Sequence, residues 1–155
     1  MHVTLRPVEA GDQQFLFEVY AGTRRAELDA WGWDAAQQDA FLKMQFMAQH
    51  RAYEAQYPEA DHSIILLDDQ PIGRLFVARS SEWIQLTDIA LLPAHRNHGI
   101  GAQLIRDLLD EAAKAGLPVR LQVLKNNPAA QLYERLGFRN TGESGMHFEM
   151  ERPSV

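Results

Sequence analysis

Several short apolar stretches, two of them alternating with polar positions at a period of two, are bounded by turn residues and so read as strands. Val3 to Arg6 is the first, ended by Pro7. His62 to Leu67 and Ile72 to Arg79 follow, joined by the turn Asp68-Asp69-Gln70-Pro71. Trp83 to Leu91 is a further strand, Val119, Leu121 and Val123 mark another, and two short ones lie near Arg139 and His147. Helical spacing takes over elsewhere. Asp12 is placed to cap a helix reaching about Tyr20, and Asp34 a second running toward Tyr57. In that second helix Phe41, Met44, Ala48, Ala52 and Ala55 recur at helical spacing, and Phe41, Met44 and Met47 are expected in the core. The clearest amphipathic helix has Ile100, Leu104, Ile105, Leu108, Leu109 and Ala112 on one face and ends at Gly116 and Pro118. Pro128 opens a last helix through Leu136, which Gly137 stops. Strands alternate with helices in the second half, while the middle strands come as hairpins. The pattern predicts an α/β (α+β) fold: a mixed sheet with helices on both faces.

With 155 residues and 46% apolar content, the chain suits one domain, residues 1–155, around one core. The absence of cysteine excludes disulfide scaffolds, thiolate-metal sites and an acyl group carried on an enzyme thiol, and no metal is expected. It also fits a reducing, cytoplasmic setting. Glu9, Asp12 and Glu18 interrupt the first twenty residues, so they do not read as a signal peptide. No apolar run approaches the roughly 18 residues of a membrane span. The net charge of −6 argues against nucleic acid as a partner. That charge is uneven: 7 basic and 14 acidic residues through Ala90, against 8 basic and 7 acidic from Leu91 onward. The second half is therefore the one suited to an anionic ligand, and the first would attract a cationic amine. The sequence leaves both a monomer and a homodimer open.

The strongest chemical signal is the strand–turn–helix unit from Asp88 to Leu109. Gly99 and Gly101 sit where the chain turns into the helix, leaving its first amides unobstructed by Cβ atoms. Those donors and the positive end of the helix dipole make an anion site fit for a pyrophosphate, to which Arg96 adds a charge-assisted donor. No G-x-x-x-x-G-K-[ST] run is present, and no third glycine completes a dinucleotide fingerprint. The second signal is Asn126-Asn127-Pro128-Ala129-Ala130-Gln131-Leu132-Tyr133. Asn126 at a strand end can bond a ligand amide, and the Tyr133 phenol is either a proton donor or an ordinary core tyrosine with its hydroxyl satisfied.

Together these stretches resemble the GCN5-related N-acetyltransferase (GNAT) family. Its cofactor signature R/Q-x-x-G-x-G/A is met by Arg96, Gly99 and Gly101. Its N-x-x-A-x-x-L-Y-x-x-x-G-F pattern is met by Asn126, Ala129, Leu132, Tyr133, Gly137 and Phe138. The resemblance implies a strand splayed at a bulge near Leu91, with the pantetheine arm of acetyl-CoA in the opening. Backbone groups of Leu91 and Leu92 would pair with that arm. Amides of Asn97, His98, Gly99, Ile100, Gly101 and Ala102 would hold the pyrophosphate, Asn126 would contact the arm from the far strand, and Tyr133 would lie beside the sulfur. Asn97 departs from the family's usual glycine, but asparagine tolerates a left-handed backbone well.

The implied reaction is direct attack of a primary amine, of a small molecule or a peptide, on the thioester in a ternary complex. Tyr133 would be the acid and the Leu91 N–H the oxyanion donor. Asp88 shares the period-two face of Ile84, Leu86 and Ala90, where burial would raise its pKa and make it a better base; pairing with Arg74 is the alternative. Trp31 and Trp33, around Gly32, either wall the amine pocket or pack their loop onto the sheet. A non-catalytic acyl-CoA-binding sensor or subunit with the same fold is the alternative function.

Overall fold

The computed structural model describes residues 2–154. Its strands are β1 (Val3–Pro7), β2 (Asp61–Leu67), β3 (Gln70–Arg79), β4 (Ile84–Leu91), β5 (Val119–Leu124), β6 (Arg139–Ser144) and β7 (His147–Arg152). Its helices are α1 (Gln13–Gly22), α2 (Arg25–Ala30), α3 (Ala35–Gln56), α4 (Ile100–Ala115) and α5 (Ala129–Arg135). The strands form one seven-stranded sheet in the order β1-β2-β3-β4-β5-β7-β6. Pairing is antiparallel for β1–β2, β5–β7 and β6–β7 and parallel for β4–β5. The sheet is therefore mixed, as the hairpins followed by strand–helix alternation predict. Contacts gather the chain into two compact units, one of residues 1–75 with Ala90–Arg96, the other of Phe76–Ile89 with residues 97–155.

In the first unit, α1 and α3 bury Leu16, Phe17, Tyr20, Leu42 and Phe46 with Ile64 of β2. The β2–β3 hairpin turns through Asp68 and Asp69, both at positive φ, 48° and 69°. A two-residue hairpin loop needs that geometry, and aspartate tolerates it better than most residues. Asp34 caps α3 as expected: its Oδ1 accepts from the Gln37 N–H at 2.8 Å, and Gln37 Oε1 accepts from the Asp34 N–H at 3.0 Å.

Two expectations need correction. First, α3 buries a different face: Gln38, Leu42 and Phe46 point inward, while Met44 and Met47 are 59% and 43% exposed and Ala48, Ala52 and Ala55 are exposed. The inward face is studded with glutamines, which hides it from a count of apolar residues. They are tolerated because they are bonded: Gln38 Nε2 donates to Asp29 Oδ1 at 2.6 Å and to the Trp33 carbonyl at 3.1 Å, and Gln49 Oε1 accepts from Arg74 at 2.6 Å. Second, Asp12 precedes α1 without capping it by its side chain. Its carboxylate instead receives Arg6 through both oxygens, at 2.8 and 2.9 Å, and the Glu9 N–H at 2.8 Å. The short helix α2 was not anticipated, because Leu28 is its one buried residue and leaves no period to read.

In the second unit α4 buries Ile100, Leu104, Ile105, Leu108 and Ala112, nearly the face that its spacing predicts, and Gly116 ends it in a left-handed conformation. Val119, Leu121 and Val123 of β5 are buried, and β5 pairs with β7 along its whole length, from Val119↔Arg152 to Leu124↔His147. Among the described residues of both units, no helix is long and apolar enough to cross a membrane.

The Arg6–Asp12 clasp makes stability depend on acid. Hydrogen bonds from Arg6 first, and from the Glu9 amide, hold the Asp12 carboxyl down at about 2. A depressed carboxylate contributes its stability fully above its unfolded value near 4 and loses it as pH falls through its folded value. Asp12→Asn should therefore lower the thermal midpoint at neutral pH and flatten its decline between about pH 4 and about pH 2. Thermal melts of both proteins across that window check this; parallel acid limbs would assign the slope to other groups.

Candidate active site

The parallel ladder between β4 and β5 runs from Ile84↔Val119 to Leu86↔Leu121. It includes no pair from Thr87, Asp88 or Ile89, although β4 continues to Leu91 and β5 to Leu124. The strands thus part within the second unit, and the facing backbone edges of Thr87–Ile89 and Gln122–Leu124 are left to other partners. Such groups are obligatory hydrogen-bonding groups, so a parted pair of strands is a place for an extended polar ligand.

The start of α4 presents a second set of unused donors. Among the described residues, none of the six consecutive N–H groups from Asn97 to Ala102 has a hydrogen-bond partner, and the first helical bond is Gln103 N–H to the Gly99 carbonyl at 3.0 Å. Asn97 (φ 62°) and Gly99 (φ 81°) both adopt left-handed conformations, which swing successive amides to one side. Asn97, His98 and Gly99 are exposed, while Ile100 is buried and anchors the helix. A Cβ at Gly99 would meet nothing within 4 Å, and one at Gly101 would meet only Ile89 Cδ1 at 4.0 Å. Open space over a row of unsatisfied amides at a helix N-terminus fits a pyrophosphate in charge and in shape.

Tyr133 of α5 is buried against Phe138, ring centroids 5.6 Å apart. Among the described residues its hydroxyl has no hydrogen-bond partner. Burial, and then the nearby Asp88 carboxylate, push its pKa up to about 12. That coupling puts the two candidate catalytic groups in one electrostatic neighbourhood. Asp88 is half-buried rather than buried, unlike Ile84 and Leu86 on its face.

Asn126 is exposed just beyond β5 and makes no side-chain bond among the described residues. Its neighbour has the local role: Asn127 Oδ1 accepts from the Ala129 N–H at 2.9 Å and starts α5.

The first unit holds the remaining predicted residues. Arg96 donates through Nε to the Leu91 carbonyl at 3.0 Å and through Nη2 to the Gly22 carbonyl at 3.1 Å. It braces the turn with the very atoms expected to meet an anion. The Leu92 N–H is likewise engaged, with the Ile72 carbonyl at 2.8 Å, which leaves Leu92 less to offer a ligand. Trp33 packs edge-on against Phe41 at 5.2 Å and joins the core, whereas Trp31 is 57% exposed and rests edge-on against Trp33 at 5.7 Å. Trp31 alone of the pair has a free face.

Two residues escaped the sequence reading. A Cβ on Gly73 would lie 2.3 Å from the Ala90 carbonyl oxygen, so only glycine lets the end of β4 come this close to β3. A glycine inside a strand pattern is a signal of such an approach. Thr87, in the parted segment, has a buried hydroxyl with no partner in the protein among the described residues. A polar atom buried without a partner costs roughly 1–3 kcal/mol. Thr87→Val should therefore raise stability by about 1 kcal/mol, a few degrees in the thermal midpoint. A lower midpoint would mean that the hydroxyl is bonded in solution.

The chain matches the acetyltransferase (GNAT) family over residues 23–138. Among solved structures it is similar to a PaiA N-acetyltransferase from Thermoplasma acidophilum, determined in complex with coenzyme A: TM-score 0.72, 18% identity, covering 99% of both chains. It is also similar to the ribosomal-protein-S18-alanine N-acetyltransferase of Escherichia coli, with TM-score 0.64, 19% identity and coverage of 99% of this chain and 95% of that one. An acetyltransferase from Thermus thermophilus gives TM-score 0.67 and 19% identity, covering 99% of this chain and 97% of that one.

Proposed function

The chain belongs to the acetyltransferase (GNAT) family, and on that premise we propose that it transfers an acetyl group from acetyl-CoA to a primary amine of a small molecule or peptide, in a ternary complex. The observation that carries the proposal is the run of six unpartnered amides from Asn97 to Ala102 under open space. Those amides hold the pyrophosphate, and Arg96 keeps the turn in shape. The parted edges of β4 and β5 take the amides of the pantetheine arm, with Asn126 at the far strand's end. Acetyl-CoA, when bound, supplies the thioester.

Asp88 accepts the proton from the nitrogen as attack on the carbonyl carbon makes it cationic, and the Leu91 N–H steadies the oxyanion. Collapse then breaks the C–S bond. Tyr133 faces the departing sulfur, and its raised pKa alters the task first expected of it. The thiolate of a thiol near 8.5 is a weaker base than a phenolate near 12, so complete proton transfer from Tyr133 is uphill. Tyr133 therefore acts first as a hydrogen-bond donor to sulfur. Burial, the larger cause, keeps the phenol's pKa up even after Asp88 has taken the amine's proton, so Tyr133 steadies the thiolate as a donor while solvent supplies its proton. Solvent then takes the proton from Asp88.

Two outcomes follow. Gly101→Val tests the anion site better than a change at Gly99, where positive φ would strain any side chain. Valine and glycine differ by only a few tenths of a kcal/mol in helix propensity. Gly101→Val should thus fold normally and lose at least tenfold in CoA affinity by calorimetry, about 1.4 kcal/mol. Unchanged affinity in the folded variant would refute the pyrophosphate assignment. Tyr133→Phe removes a hydroxyl with no partner in the protein, so the thermal midpoint should hold or rise. With an amine found by following CoA release across an amine panel, kcat should fall about 10²-fold while KM for acetyl-CoA barely moves. A lost midpoint at unchanged kcat would make Tyr133 a packing residue.

A further inference from the structure

The outward face of α3 has the pattern of a helix–helix seam with nothing on it. Ala40, Met44, Met47 and Arg51 follow one another at spacings of four, three and four residues, the spacing of a coiled-coil stripe, and all four are exposed. Met44 and Met47 are 59% and 43% exposed, on a helix of 22 residues, about 33 Å long. Arg51 is the one charge on the stripe, and its stem can lie along apolar surface while its head stays in water.

We propose that this face binds the same face of a second copy of the chain, with the two α3 helices antiparallel across a twofold axis between Met47 and Ala48. The stripe is complementary to itself. Met47 then packs on the partner's Ala48 and Met44 along the stem of the partner's Arg51, large against small in each case. Charge complementarity selects this occupant over an unrelated apolar partner. Lys43 and Glu54 lie eleven residues apart, three helical turns, and so share one edge of the stripe. They flank the axis on opposite sides, which brings each within reach of its opposite number in the partner. Neither is committed to a buried ion pair at home: Lys43 lies over the Phe17 ring at 5.9 Å, and Glu54 meets His50 at 3.0 Å on the surface.

Sedimentation velocity on the full chain, from about 1 µM to about 200 µM, tests this, because interfaces of modest area fall in that affinity range. The wild type should shift from monomer to dimer. Met47→Glu sets two carboxylates beside the axis and should leave a monomer across the whole range, with an unchanged circular dichroism spectrum. Lys43→Glu should weaken dimerisation at least tenfold, and Lys43→Glu with Glu54→Lys should restore it, which no general loss of stability would do. A wild type that stays monomeric, a dimer that survives Met47→Glu, or a double reversal that fails to restore the single one would each overturn the proposal.

Discussion

Backbone amides and carbonyls need hydrogen-bond partners, and at two places among the described residues the chain itself supplies none. Beyond Leu86↔Leu121 the strands β4 and β5 no longer pair, and from Asn97 to Ala102 the amides precede the first helical bond. Both openings persist because the elements around them are secured elsewhere. β5 is paired with β7 from end to end and can lose β4 on its other side without coming loose. The end of β4 is held by the Leu92–Ile72 hydrogen bond and by the close approach over Gly73, and the turn beyond it by Arg96 on the carbonyls of Leu91 and Gly22. Arg96, expected from the motif to meet an anion, donates here to the Leu91 and Gly22 carbonyls.

The same economy of partners shapes the candidate catalytic pair. The Tyr133 hydroxyl has no hydrogen-bond partner among the described residues, and its pKa is raised by burial first and by the Asp88 carboxylate second. Thr87, next to Asp88 on β4, has a buried hydroxyl with no partner among the described residues. A polar atom buried without a partner where two strands part costs stability.

Much of this was legible in the chain itself. The period of two in β4 and β5, the stripe of α4, the caps at Asp34, Gly116 and Gly137, and the paired glycines at the start of α4 are local signals, and each element formed within a few residues of where they placed it. The family pattern through Arg96, Gly99, Gly101, Asn126 and Tyr133 was equally local, because a helix start and a strand end are built from neighbours in sequence.

What the sequence left open depended on distant groups. In α3 both faces have comparable apolar content, and the glutamine-bearing one turned inward because Asp29, the Trp33 carbonyl and Arg74 were waiting to bond it. Asp12 abandoned the expected cap for Arg6, and Trp33 left Trp31 to join the core beside Phe41. By itself the sequence determined the elements, their order and the glycine-bearing turn into α4, since these follow from short-range sterics and hydrogen bonding. Only the tertiary structure decided which face of α3 is buried, where β4 leaves β5, and which polar atoms remain without partners. Each of those outcomes is a competition among groups far apart in the chain.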